Sequence, residues 1–258
     1  MHRIFIQLFS NKDMIQKTFQ ILDRVSNRKE QSIWQQGIGD WDSFISKDHI
    51  KGISPHAKKY FDRQLTLAKQ ALHNQNSNYF INKIPSMETW RLYNTFKQDA
   101  VFLDIETEGV GKNADITVIG LFDGLNTKTM IKDINMDYNI IKNELKKYKI
   151  IITFNGSSFD LPFIKKRYDI LPEIPHIDLR HICARLGLTG GLKEIEKKFN
   201  IKRNKIIEKL YGGDALTLWR MYKGSGDDYY LNLLVEYNED DCFNLKKIMD
   251  FCYERLSL

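Results

Sequence analysis

Acidic side chains at three separated places carry the chemistry this sequence can offer. In the stretch AVFLDIETEG, strand alternation turns Phe102, Asp104 and Glu106 to one face and Val101, Leu103 and Ile105 to the other. Two carboxylates sharing one face of an apolar strand repel each other and lose hydration, a cost that a divalent cation relieves. In IIITFNGSSFDLPF, Asp160 stands just past a second apolar strand, at the start of a helix and after the turn-forming NGSS. In VEYNEDDCFNL, Tyr237 and Asp241 are four residues apart and share a helix face, while Asp240 points roughly 100° away around the helix. Each element alone also has an ordinary reading. DxE on an exposed edge strand costs nothing, Asp160 can cap its helix, and YNEDD can form a solvated acidic patch. Taken as one site, four oxygen donors suit Mg²⁺ or Mn²⁺ better than zinc.

These residues need a sheet and a late helix to position them. From residue 100 the strands AVFLDIE, ITVIGLFDG and KTMIKDI follow one another, the last two across the turn-like DGLNT, as in a meander. NIIKNELKKY then has helical spacing and leads into the strand IIITFNG, which makes a strand, helix, strand crossover. Helical segments follow: DLPFIKKRY, DLRHICARLG, GLKEIEKKFN, ALTLWRMY and a long one from about Tyr229 to Leu256. The first hundred residues read as polar and helical, with Phe19, Trp34, Trp41 and Phe44 scattered among them. Gly37 and Gly39 separate two short apolar patterns there, as in a helix–turn–helix hairpin. The division expected is a mainly helical N-terminal segment, 1–96, followed by an α/β domain, 97–258. No internal repeat or low-complexity tract is visible.

DIETEG, NGSSFDLPF and YNEDD resemble, in that order, the three motifs of the DEDD exonuclease superfamily. That pattern asks for DxE on the first strand, Asp after a strand-to-helix turn, and Tyr-x3-Asp or His-x4-Asp on a late helix. Tyr237 with Asp241 is similar to the tyrosine form, since Glu236 occupies the place of the alternative histidine. The likeness extends to the YprB-like group of exonucleases through WRLYNTFKQDAVFLDIET, GGLKEIEKKF and LLVEYNEDDCFNL, from about Pro85 to the last residue. IWQQGIGDWDSFI also resembles the leader segment of that group.

The resemblance implies a ribonuclease-H-like mixed sheet flanked by helices. It implies a metal-dependent 3′→5′ exonuclease that acts on single-stranded or 3′-ended DNA or RNA and releases nucleoside 5′-monophosphates. Two Mg²⁺ or Mn²⁺ ions, about 3.5 to 4 Å apart, would be held by Asp104, Glu106, Asp160 and Asp241. By the resemblance, Asp104 bridges both ions, Glu106 and Asp241 serve one and Asp160 the other, while Tyr237 orients the attacking water. A tyrosine ordinarily titrates near about 10, so an orienting hydrogen bond suits neutral pH better than proton abstraction. The backbone of Thr107 and the side chains of Asn155, Phe159 and Lys193 are candidates for lining the substrate, with core packing the plainer fate of Phe159. A structure-selective endonuclease and a non-catalytic nucleic-acid-binding module are the competing readings on the same fold. The Tyr-x3-Asp spacing favours the exonuclease, and the filled acidic positions argue against the module.

Composition agrees with this direction. The 258 residues are 42% hydrophobic, which is enough for a full core, and carry a formal charge of +6, which favours a polyanionic partner. Lys193, Lys197, Lys198, Lys202, Arg203 and Lys205, with Lys165, Lys166 and Arg167, can track a phosphate backbone. Glu194, Glu196 and Glu208 interleave with them, as on an ordinary solvated face. GVGKN lacks the first glycine and the hydroxyl residue of a phosphate loop, so no nucleoside-triphosphate motor is expected. Three cysteines without a CxxC pair argue against a disulfide framework and a zinc knuckle, and fit a reducing cytoplasm. The first residues do not form a signal peptide, and no run of about eighteen apolar residues predicts a membrane segment.

Overall fold

The computed structural model describes residues 13–109, 111, 114–201 and 215–258, and the chain divides into two compact units, Met1–Lys97 and Gln98–Leu258. The first unit holds helices α1 (Asn27–Trp34), α2 (Trp41–Ser46), α3 (Pro55–His73) and α4 (Tyr93–Phe96), with a 3₁₀ turn ahead of α1 and two between α3 and α4. Gly37, between α1 and α2, takes a φ of +78°, a conformation that glycine adopts without steric cost. Asp40 then starts α2 with a reciprocal capping box with Ser43. Ser54 accepts from the Ala57 N–H at the head of α3, where Pro55 gives up no hydrogen bond because that N–H would be unpaired anyway. Glu30 is buried, and its carboxylate accepts from the Thr18 hydroxyl, the Phe19 N–H and the Gln20 amide. Trp41 lies beneath the surface, its indole N–H on the Thr18 carbonyl at 2.7 Å.

The second unit is α/β. Strands β1 (Ala100–Thr107), β2 (Ile116–Phe122), β3 (Thr127–Ile131), β4 (Ile150–Thr153) and β5 (His176–Asp178) form one mixed sheet in the order β3-β2-β1-β4-β5. β1, β2 and β3 pair antiparallel, which is the expected meander, while β4 and β5 run parallel to β1. The crossover into β4 passes through α5 (Tyr138–Leu145). Strand β5 has three residues, too few to announce themselves by alternation, and was not among the expected elements.

Alternation along β1 sorts its side chains as the sequence predicts. Val101, Leu103 and Ile105 join Ile119, Leu121, Ile141, Leu145, Ile151 and Ile164 in the apolar layer on one face. The other face is covered by α10 (Asp228–Ser257), whose Leu233, Leu234 and Tyr237 pack with Val118 and with Leu218 and Trp219 of α9 (Ala215–Ser225). The other described α-helices of this unit are α6 (Asp160–Arg167), α7 (Leu179–Arg185) and α8 (Leu192–Lys198). No described helix is long and apolar enough to cross a membrane.

Candidate metal centre

Strand β1 is the middle strand of five, so the edge-strand reading of its DxE pair fails. Asp104 and Glu106 extend from its C-terminal half, and α10 delivers Asp241 onto the same face. One carboxylate oxygen from each of the three lies within 4.8 Å of the others. Asp241 is only 5% exposed, which excludes a solvated patch at that residue, while Glu236 on the same helix faces solvent.

Asp160 arrives from the other side of β1. Register between β1 and β4 runs from Ala100 with Ile150 to Phe102 with Ile152, so the acid-bearing end of β1 projects beyond β4. There the Ile105 N–H has no strand to pair with, and the Asp160 carboxylate accepts it at 3.2 Å. The N-cap of α6 is Phe159, and Asp160 is the first residue of the helix proper, so its carboxylate serves β1 rather than a cap. The turn that places it is tightly specified. Asn155 takes a φ of +62°, and a Cβ on Gly156 would lie 2.1 Å from the Thr153 hydroxyl.

Asp178, which the sequence reading did not single out, clamps this turn. Its carboxylate accepts from the Asn155 N–H at 2.7 Å, from the Ser157 N–H at 3.0 Å and from the Ser157 hydroxyl, and it caps α7 through the Arg180 N–H. Burial alone would raise its carboxyl, but these hydrogen bonds outweigh burial and hold it below the ordinary range. An Asp directly ahead of a helical pattern is legible as a cap, whereas a clamp on a turn more than twenty residues earlier is not.

The acids themselves are strained electrostatically. Burial, then the charges of Asp241, Glu106 and Asp160, push the Asp104 carboxyl well above its usual value, against a hydrogen bond from Asn238 that favours the ionised form. Burial likewise raises Asp160 to about 7; hydrogen bonds from its own N–H and that of Ile105 oppose this, and the charges of Asp178 and Asp241 add to it. Clustered carboxylates that resist ionising together are short of positive charge. An all-oxygen donor set fits a hard divalent cation, so these residues suit the metal that the motifs imply.

The remaining sequence candidates are dispersed around this cluster. Tyr237, 8% exposed, lies one helical turn before Asp241 with the Lys193 ammonium 5.1 Å above its ring. Lys193 is held there through its helix: Glu196 of α8 is buried and accepts from the Asn244 amide of α10 at 2.8 Å. The expectation of a solvated face therefore fails at Glu196, while Lys197 and Lys198 are exposed and Lys202, Arg203, Lys205 and Glu208 lie outside the described residues. Asn155 accepts from the exposed Arg180 guanidinium at 2.7 Å. Phe159 packs half-buried against the apolar layer, 5.6 Å from Phe163, and the Thr107 hydroxyl donates to the Gly109 carbonyl. The three cysteines are free and buried.

A mixed five-stranded sheet with acids on its central strand and on the helix covering it defines a ribonuclease-H-like domain. The family model RNase_H_2, of the RNase_H superfamily, matches residues 101–253, and the chain belongs to that superfamily. Membership points to metal-dependent hydrolysis of nucleic acid. No curated protein matches the chain.

Proposed function

We propose that this chain is a 3′→5′ exonuclease of the DEDD type with tyrosine in its third motif, related to the YprB-like group. The observation that carries the reading is the meeting of Asp104, Glu106 and Asp241 within 4.8 Å, with Asp160 bonded to the backbone between the first two. Asp104, Glu106, Asp160 and Asp241 would hold two Mg²⁺ or Mn²⁺ ions, which supply Lewis acidity at the scissile phosphodiester. The chain contributes the rest. Tyr237, fixed by the packing around its ring, aims the water that attacks the phosphorus. Lys193 adds positive charge beside it, and Asn155, Phe159 and the Thr107 backbone line the terminal nucleotide. Four acids contributed by three segments keep the reacting groups in register with little reorganisation.

The test is a time course on 5′-labelled single-stranded DNA and RNA with Mg²⁺ or Mn²⁺, beside Asp104→Ala. A metal-dependent ladder that shortens from the 3′ end, absent in the variant, is the expected result and selects the sugar. One discrete internal product would replace the exonuclease with an endonuclease. Binding of metal and nucleic acid without any cleavage would replace it with a binding module.

A further inference from the structure

Asn238 lies between Tyr237 and Asp241 in sequence and has no solvent exposure. Its Nδ2 donates to Asp104 Oδ2 at 2.9 Å and lies 3.4 Å from the Asp104 carbonyl oxygen. Its Oδ1 has no hydrogen-bond partner among the described residues. A buried acceptor left unpaired destabilises a fold, and a site that tolerates one has a use for the other end of the group. Turning the amide over would set Oδ1 against the ionised Asp104 that a bound cation requires.

The sheet is built to receive this side chain. Gly120 of β2 stands opposite Asp104 in the register. A Cβ on Gly120 would lie 2.1 Å from Asn238 Oδ1 and 2.9 Å from Cys242 Sγ. The missing side chain therefore creates the space in which the Asn238 carboxamide rests while its amino group reaches Asp104. A φ for Gly120 in the left-handed region is not involved, so the glycine is required by space alone.

We infer that Asn238, seated over Gly120, is a positioning residue that orients the Asp104 carboxylate toward a divalent cation. The inference rests on the metal-centre reading of the site. Asp104 is crowded by its neighbours, with burial and three other carboxylates acting on it, and Asn238 is the one side chain that donates to it among the described residues. An amide donor fixes the carboxylate rotation and satisfies one oxygen while bringing no charge that would compete with a cation. Hydrogen-bonding partners of this kind are worth about 10- to 100-fold in metal affinity.

The experiment measures Mn²⁺ binding by electron paramagnetic resonance, with stability in EDTA measured in parallel, for the wild type, Asn238→Leu, Asn238→Ala, Gly120→Ala, the double variant Gly120→Ala/Asn238→Ala, and Asp104→Ala. Asn238→Leu fills the space without a donor and without the unpaired Oδ1. It should stay folded in EDTA with a cooperative unfolding transition while its Mn²⁺ dissociation constant rises at least about tenfold. Gly120→Ala should weaken Mn²⁺ binding in the wild type and much less in the Asn238→Ala background, because the group its Cβ displaces is already gone. Affinities within twofold of wild type in both Asn238 variants would overturn the inference and leave the metal centre standing. A wild type with no Mn²⁺ binding that Asp104→Ala removes would overturn both.

Discussion

Replacing Asp160 with Asn should make the metal-free protein more stable, although the side chain belongs to the best-specified part of the site. The carboxyl is raised from 3.8 to about 7 in the fold. A raised acid binds a proton more tightly folded than unfolded, so its contribution is fully present below pH 3.8 and is lost as pH climbs to about 7. At about 1.4 kcal/mol per tenfold in proton affinity, the ionised folded state at pH 8 carries a penalty of about 4 kcal/mol. Asparagine keeps nearly the same volume and an oxygen for the Ile105 N–H, and removes only the charge. In EDTA, urea unfolding followed by circular dichroism should show the two proteins equal near pH 4. Asp160→Asn should then gain with rising pH, approaching about 4 kcal/mol by pH 8. Saturating Mn²⁺ should narrow the difference, since a ligand at 100 times its dissociation constant adds about 2.7 kcal/mol to the wild type. Parallel stability curves for the two proteins in EDTA from pH 4 to 8 would refute the assignment of the penalty to this carboxylate.

Tyr237→Phe should lower kcat by about 10²- to 10⁴-fold while Mn²⁺ affinity stays within twofold, as measured by single-turnover cleavage beside a metal titration. Asp178→Ala should destabilise the protein by about 2 to 3 kcal/mol and raise amide exchange at Asn155 and Ser157, whose N–H groups lose their acceptor; unchanged exchange there would remove its role as a clamp. Gly156→Ala should cost about 1 to 3 kcal/mol in urea unfolding, because its Cβ would meet the Thr153 hydroxyl at 2.1 Å, and Thr153→Ala should not rescue it, since the Thr153 Cβ that alanine keeps would still lie 2.6 Å away.

The central elements of the second unit were legible because local pattern and tertiary role coincide there. Alternation in AVFLDIET separates three core residues from two acids, and the sheet uses both faces in that way. Helical spacing likewise groups Tyr237 with Asp241. What escaped notice depends on partners distant in the chain. Glu196 reads as a solvated acid among lysines, yet its partner Asn244 lies on another helix. Asp178 announces a helix but not the turn it restrains. Asn238 looks like a polar filler between two motif residues until the glycine beneath it is seen. Strand β5 is simply too short to carry a period.

The assembly of one site from β1, α6 and α10 also bears on how the chain folds. Acids at positions 104 and 241 repel only once the helix has docked on the sheet, so the β1–β3 meander can form with its carboxylates still hydrated. Docking α10 buries an apolar face and also brings these acids together, so the electrostatic cost of the site falls on that step. A divalent cation present during refolding would act on that step. By offsetting that repulsion it would stabilise the docked helix over the separated elements, so closing the fold and filling the site become one event.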